Sequence, residues 1–195
     1  PFVYQGQEIG MTNLRLPRLD MYVDVMLKNN CRIASKVLPQ SAVLKLAQRS
    51  CRDSARTPMQ WTGGPWAGFS ETRPWFYLNE NYRDVNVEVE ERDPDSLLNF
   101  YRELIAFRKA EPLVMEGEYK EHLRQSPNFY VYSREAGGRR LLVICSFADK
   151  DTYFTAPEGF DLMQGRLVLK NYEMNLVINN CFTARPYELR VYLFE

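Results

Sequence analysis

From residue 113 to the C-terminus, apolar and polar positions alternate with a period of two. The runs EGEYKEHL, NFYVYSRE, RRLLVICSF, TYFTA, RLVLKNYE and YELRVYLFE each read as a strand. Gly137-Gly138, between the second and third runs, predicts a tight hairpin. Earlier in the chain the period is helical. Helices are expected over 20–33, over 41–50 and, most clearly, over 93–110. The second carries an apolar stripe of Val43, Leu44, Leu46 and Ala47, with Ser41 as its cap. In the third, Asp93 is the expected cap and Pro94 the first helical residue. Leu97, Leu98, Tyr101, Leu104 and Ile105 form one face, and Glu111-Pro112 is the stop. At the start, PFVYQGQEIGM predicts a short buried strand through Phe2, Val3 and Tyr4 that runs into a loop loosened by Gly6 and Gly10. A buried strand leading into a polar, glycine-containing loop is how a (β/α) barrel presents its active face. Residues 57–92 lack periodicity and are rich in Pro, Gly, Trp and Asn. A loop that long in a compact domain is functional or pinned by a neighbour.

The composition narrows the class. Lysine and arginine total 25, as do aspartate and glutamate, so the formal net charge is zero. A balanced chain has no long-range attraction for nucleic acid or an anionic membrane. No apolar run approaches the roughly 18 residues of a membrane span. The four cysteines, Cys31, Cys51, Cys145 and Cys181, form no C-x-x-C pair. With His122 the single histidine, a zinc site is not expected. Scattered cysteines and the lack of an N-x-S/T sequon fit a reducing, cytoplasmic setting. The chain opens on Pro1-Phe2-Val3 rather than methionine, and reads as the interior of a longer protein.

The densest chemistry lies in CRDSARTPMQW, residues 51–61. Two guanidinium groups, Arg52 and Arg56, stand one helical turn apart, with proline and an indole closing the run. YQGQEIGMTN (4–13), RDSARTPMQW (52–61), AGFS (67–70), VNVEVE (85–90) and RPYELRVYL (185–193) follow in that order. The series resembles the α-glucosidase branch of the α-amylase superfamily, the oligo-1,6-glucosidases and trehalose-6-phosphate hydrolases, over nearly the whole chain. The resemblance implies an α+β fragment. Residues 1–112 would be the last β/α unit of a (β/α)8 barrel with its long loop, and residues 113–195 a C-terminal antiparallel β-sandwich. Thr62 and the TGGPW turn depart from the pattern, which bears on sugar specificity rather than on the family.

By the same resemblance, Arg56 is the substrate-binding residue and reaches a hydroxyl at the far end of a terminal glucose. A guanidinium suits this task because it offers several fixed donors and keeps its proton. Thr57-Pro58 would stiffen the exit, and Arg52 and Asp53 would form a structural ion pair. The family's catalytic aspartate, glutamate and second aspartate sit on earlier strands, and their motifs are absent here. A retaining glycosidase needs two carboxylates about 5 Å apart; Asp20 and Asp24 share an expected helix turn but read better as a solvated face. No catalytic residue is therefore assigned, and the fragment alone is expected to be inactive. Glu8 reads as a buried carboxylate ordering its loop, Trp61, Trp66 and Trp75 as packing of the long loop against the barrel, His122 as an ordinary surface or edge histidine in a strand and Cys51 as inert packing. The implied ligand is an α-linked glucose oligosaccharide cut at α-1,6 or α-1,4 linkages. The implied macromolecular partner is the N-terminal remainder of the same barrel; no cofactor, metal, nucleic acid or membrane is implied. Two alternatives stand beside this reading: trehalose-6-phosphate hydrolysis, and the non-catalytic heavy subunit of an amino-acid transporter. A free carbohydrate-binding β module ranks lower, because no exposed aromatic platform is evident in the strands.

Overall fold

The computed structural model describes residues 2–195. The chain gathers into two compact units, one ending at Tyr101 and one beginning at Arg102.

The first unit is built on α1 (Val25–Ala34) and α2 (Gln40–Ser50). Leu27 and Cys31 lie one turn apart on α1, and Val43 and Ala47 one turn apart on α2. These four share a core with Leu14, Leu16, Tyr22, Cys51 and Phe76. α1 starts later than the sequence predicts, because Asp24 takes the capping position. Its Oδ1 accepts from the Met26 and Leu27 amides at 2.9 and 3.3 Å. Residues 19–21 form a 3-10 turn instead, where Asp20 pairs with Arg18. Asp20 and Asp24 therefore do not share a helix turn. α2 enters directly from Pro39, at φ −60°, so Ser41 lies inside the first turn and caps nothing. Leu46 points outward and is exposed.

The expected strand at residues 2–4 is not formed, Pro1 lying outside the described residues. Phe2, Val3 and Tyr4 are exposed. A strand needs a ladder partner, and the described residues of the first unit contain no strand to supply one. The chain turns instead: the Gln7 amide bonds the Tyr4 carbonyl at 3.0 Å, and the Met11 amide bonds the Gly6 carbonyl at 2.9 Å. Gly6 makes this possible by taking φ +85°.

The stretch read as irregular contains one α-helix, α3 (Val87–Arg92), and two 3-10 turns, at Pro65–Gly68 and Glu80–Arg83. Asn86 starts it by accepting the Val89 amide at 3.0 Å. Next comes α4 (Leu97–Ala110). Its cap is Ser96, not Asp93: Ser96 Oγ accepts the Asn99 amide at 3.2 Å. Asp93 instead closes a local turn through the Asp95 amide at 2.9 Å. The expected apolar stripe is present but uncovered. No side chain of α4 is buried, and Leu97, Leu104 and Ile105 are exposed.

The second unit holds seven strands, all paired antiparallel: β1 (Glu118–His122), β2 (Phe129–Ala136), β3 (Arg139–Ser146), β4 (Thr152–Thr155), β5 (Arg166–Lys170), β6 (Cys181–Ala184) and β7 (Leu189–Phe194). One sheet runs β1-β2-β3-β7-β5, and β4 pairs with β6 in a second. Gly137 and Gly138 take φ +59° and +81°, the positive pair a two-residue hairpin requires. The four-residue β6 is the strand the alternation did not reveal. Glu111 closes the helical region as expected and also does more. It receives a forked pair of bonds from Arg139 at 3.1 and 2.8 Å, and its Oε1 accepts the Leu113 amide at the start of α5 (Leu113–Glu116).

Both sheets contribute to one core. Val131, Leu142, Ile144, Tyr192 and Phe194 of the large sheet meet Phe154, Phe182 and Ala184 of the small one. Beside them a charged pair is fully buried. Arg190 Nε donates to Glu188 Oε1 at 2.7 Å, Glu188 Oε2 accepts the Arg185 amide at 2.7 Å, and the guanidinium lies 3.6 Å from the Phe182 ring centroid. His122 sits on the sheet's edge strand as expected, bonded to Ser133 Oγ at 3.0 Å and set edge-on to Phe160. Burial lowers its pKa. The strands do carry an exposed aromatic patch, contrary to expectation: Tyr119, Tyr130 and Tyr132 cluster on one face. Its binding groups are already engaged, however. The Tyr119 and Tyr130 hydroxyls bond each other at 2.9 Å, and the Arg134 guanidinium lies over Tyr119.

Phe154 is almost fully buried and touches Phe129 and Phe182 with ring centroids 5.0 Å apart in both pairs. Phe154→Ala is expected to cost about 3–5 kcal/mol, read as a lower urea midpoint at unchanged m-value. A loss below about 1 kcal/mol would mean that the two sheets do not share this core.

Candidate functional site

Residues 52–56 form a 3-10 turn that enters from Cys51 and leaves into extended Thr57. Asp53 is its pivot, with no exposed surface. Its Oδ2 accepts the Val23 and Asp24 amides at 2.7 and 3.1 Å, and its Oδ1 faces Arg56 Nη1 at 3.2 Å. The Asp53 amide donates to Cys51 Sγ at 3.3 Å. The expected Arg52–Asp53 ion pair is thus replaced by Arg56–Asp53. Residues three apart on a turn share a face, whereas neighbours diverge.

Further bonds fix the same turn. Ser54 Oγ accepts the Leu14 amide at 3.2 Å, and Tyr4 Oη donates to the Ala55 carbonyl at 2.8 Å. Thr57 Oγ1 donates back to the Ser54 carbonyl at 3.2 Å. Thr57 is extended, as a residue before proline must be, and residues 57–60 are all buried. Arg56 therefore projects from a backbone that cannot swing. Its side chain is 49% exposed, with one donor committed to Asp53 and the rest of the guanidinium facing outward.

Arg56 lines a cleft of about 410 Å³ with Gln5, Thr57, Pro58, Phe69, Ser70, Thr72, Arg73, Pro74 and Trp75. The Arg73-Pro74-Trp75 segment also walls a neighbouring cleft of about 450 Å³ that holds Trp66 and Tyr77. The tryptophans, expected to pack the long loop against the barrel, are not covered by the described residues. Trp75 is 79% exposed, and Trp61 and Trp66 also show much of their surface. Packing is done by their neighbours: Phe76 enters the first core and Ala67 is fully buried. Trp66 and Ala67 take φ +51° and +58°, and the Ala67 carbonyl accepts both the Trp61 and Thr62 amides. Gly68 completes this left-handed turn at φ +65°, where a Cβ would meet Thr62 Oγ1 at 2.8 Å.

Glu8 is half-buried in the 3-10 turn Gln7–Ile9. Its Oε2 is buried without a hydrogen-bond partner among the described residues. The order of that loop comes from backbone bonds rather than from Glu8. Cys51 is buried, with its thiol pushed up to about 11 by burial, which fits inert packing. All four cysteines are free. Among the described residues no group of three or more His, Cys, Asp or Glu could hold a metal ion, and no helix is long and apolar enough to cross a membrane. Arg73, which the sequence reading did not single out, lines the same cleft as Arg56. The signal was Arg-Pro-Trp-Phe, a repeat of the arginine–proline–indole theme of the first block.

The profile of the alpha-amylase catalytic domain matches residues 1–117. The chain belongs to the alpha-amylase family. Within that family it is 38% identical over 197 residues to the probable oligo-1,6-glucosidase 2 of Bacillus subtilis, matched along 100% of the chain and 35% of that protein. It is 34% identical to the trehalose-6-phosphate hydrolase of the same organism, over 98% of the chain and 35% of that protein. The crystal structure of Bacillus licheniformis trehalose-6-phosphate hydrolase superposes with a TM-score of 0.93 at 33% identity, covering 100% of the chain and 36% of that structure. This alpha-amylase family chain thus spans about a third of the length of the glycoside hydrolases it matches, at their C-terminal end.

The geometry separates the roles of Asp53 and Arg56. Asp53→Ala strands two amides of a buried junction and is expected to cost about 2–4 kcal/mol, at about 1–3 kcal/mol for each orphaned group. Arg56→Ala leaves both amides bonded but takes the one cationic donor from a buried carboxylate, and is expected to cost about 1.5 kcal/mol, less than Asp53→Ala. Thermal melts of both variants check this; equal losses would contradict the assignment of Asp53 as the pivot.

Proposed function

We propose that this chain is the C-terminal portion of a retaining exo-α-glucosidase that removes terminal α-1,6- or α-1,4-linked glucose from short oligosaccharides. The observation that carries the reading is Arg56, held by a buried carboxylate at the wall of a cleft that also presents the rings of Phe69 and Trp75. Fixed donors beside apolar faces are what a sugar offers partners for: hydroxyls to the donors, the C–H face to the rings. The names of the relatives agree. The catalytic carboxylates lie upstream of this chain in the proposed enzyme, and Arg56 contributes recognition rather than bond cleavage.

In this reading residues 1–112 close a catalytic (β/α)8 barrel and residues 113–195 form its C-terminal β-sandwich. Three observations support it. The alpha-amylase profile ends close to that division. α4 carries an apolar face with no side chain buried, which is what a barrel helix shows when its neighbours are absent. Glu8 Oε2 and Gln60 Oε1 are buried and unpartnered, and such atoms are normally satisfied in a complete fold. The same reading makes the rest of the barrel the chain's macromolecular partner and the cytoplasm its location, where four free thiols are stable.

Two measurements test the proposal. The 195-residue chain should release no p-nitrophenol from p-nitrophenyl α-glucoside, since it holds no carboxylate pair assigned to catalysis; measurable turnover would sink the assignment. In the enzyme that joins this segment to its upstream carboxylates, Arg56→Ala should lower kcat/KM by about 2–4 kcal/mol of transition-state binding. Arg56→Lys should not restore it, because a point charge cannot reproduce the fork. Unchanged kcat/KM in the lysine variant would remove Arg56 from the pocket.

A further inference from the structure

A net charge of zero conceals an uneven distribution. Residues 25–52, which hold α1, α2 and the turn between them, carry six cationic side chains and no carboxylate: Lys28, Arg32, Lys36, Lys45, Arg49 and Arg52. All six are exposed. Lys28 lies near Asp20, which is already paired with Arg18. The side chains of the other five make no ion pair or hydrogen bond among the described residues. Helical spacing gathers these charges: Lys28 and Arg32 lie one turn apart on α1, and Lys45 and Arg49 one turn apart on α2. At about 100° of rotation per residue, the α2 pair stands on the side opposite buried Val43 and Ala47.

The turn adds an apolar tip. Every residue from Ser35 to Ser41 is exposed. Val37 shows 83% of its surface, and Ile33 and Leu38 are exposed as well. The tip is nevertheless ordered: the Lys36 amide bonds the Ile33 carbonyl at 3.1 Å, and the Val37 and Leu38 amides share the Ala34 carbonyl at 3.0 and 2.9 Å. Apolar side chains are thus held in water, at a cost, between Arg32 and Lys36 in the sequence and a stretch free of acids on either side. Anionic partners differ in what they offer such a surface. A nucleic acid would use the cations and leave Ile33, Val37 and Leu38 in water. An acidic protein would need an apolar pocket ringed by carboxylates. A bilayer bearing anionic lipids supplies both at any point, phosphates at its surface and hydrocarbon just beneath. Long cationic side chains reach from an inserted tip back to the headgroups. The rest of the chain holds six more acids than bases, which turns it away from the same surface and orients the molecule.

We propose that the α1–α2 hairpin is a docking surface for an anionic lipid bilayer, with Ile33, Val37 and Leu38 entering the headgroup layer and the cations of both helices holding lipid phosphates. No residue of 25–52 lines the Arg56 cleft, so the surface stands independently of the sugar reading. The test is sedimentation at low salt with vesicles of phosphatidylcholine, alone or mixed with phosphatidylglycerol. It uses the full-length protein and the 195-residue chain. The mixed vesicles should bind about tenfold or more tighter, and added salt should erode the difference. Arg32→Gln with Lys36→Gln should weaken binding about twentyfold, at about fivefold for each charge removed. Val37→Asp should weaken it about tenfold or more. Lys150→Gln, in the second unit, should leave it within about twofold. All four positions are exposed, and circular dichroism checks that each variant is folded.

Equal binding to the two kinds of vesicle would overturn the proposal. So would a loss in Lys150→Gln as large as that in the Arg32, Lys36 variant. Binding that Val37→Asp leaves unchanged would overturn it by showing a cationic surface without insertion. A DNA duplex bound more tightly than the mixed vesicles would overturn it in favour of a nucleic-acid surface. Binding by the 195-residue chain but not by the full-length protein would overturn it by showing that the upstream part covers the hairpin, and so would an absence of binding by both.

Discussion

The first unit turns on one carboxylate with no access to water. Burying a charge is costly unless donors replace the lost hydration. Asp53 meets that condition with three donors from two places: the amides of Val23 and Asp24, and the guanidinium of Arg56. The first two fix the chain immediately ahead of α1, where Asp24 in turn caps the helix. The third directs Arg56. A single side chain thereby sets where a helix begins and where a cationic group points, so site geometry and local folding cannot vary independently.

The two units solve the problem of backbone polarity differently. The second uses sheet ladders, which satisfy amides and carbonyls in pairs and leave side chains free to build an apolar core. The first has no such ladder among its described residues, so side chains take over. Tyr22 Oη accepts the Leu16 amide, Gln48 donates to the Leu16 carbonyl, Asn79 and Asn81 reach Thr12, and Gln60 donates to the Val85 carbonyl. Buried Gln60 and Asn86 are structural for this reason. Long irregular segments become rigid by this means, and rigidity lets Trp66 and Trp75 remain exposed while their neighbours are anchored.

Much of this was legible in the sequence where one local signal dominates. Six strands were visible because alternation is a local property, as was the Gly137-Gly138 hairpin, whose positive φ values only glycine takes freely. Glu111-Pro112 stopped the helix as read. β6 was missed because Cys181–Ala184 is four residues long and its start depends on left-handed Asn179 and Asn180, a tertiary choice. The strand at residues 2–4 was over-read: propensity supplies a strand's candidates, but a ladder partner decides. Competing caps explain the shifted helix starts. Asp93 and Ser96 are both good caps, and Ser96 wins because its hydroxyl also donates to the Glu90 carbonyl at 2.6 Å. Arg56 stood out only through its motif; that Asp53 pairs with Arg56 rather than with Arg52 depends on the 3-10 turn, which composition does not encode.

The proposed separation of recognition from cleavage has a chemical consequence. None of the cleft's lining residues, from Gln5 to Trp75, is a carboxylate, histidine or thiol. Its charged lining is two guanidinium groups, Arg56 and Arg73, so the cleft wall supplies hydrogen-bond donors but no acid–base group for catalysis. The pH dependence of an enzyme containing it must arise elsewhere, from its catalytic carboxylates or from the ligand. A neutral glucoside would leave binding to this wall flat with pH. The pH dependence of turnover in the proposed enzyme therefore reports its catalytic carboxylates rather than this wall.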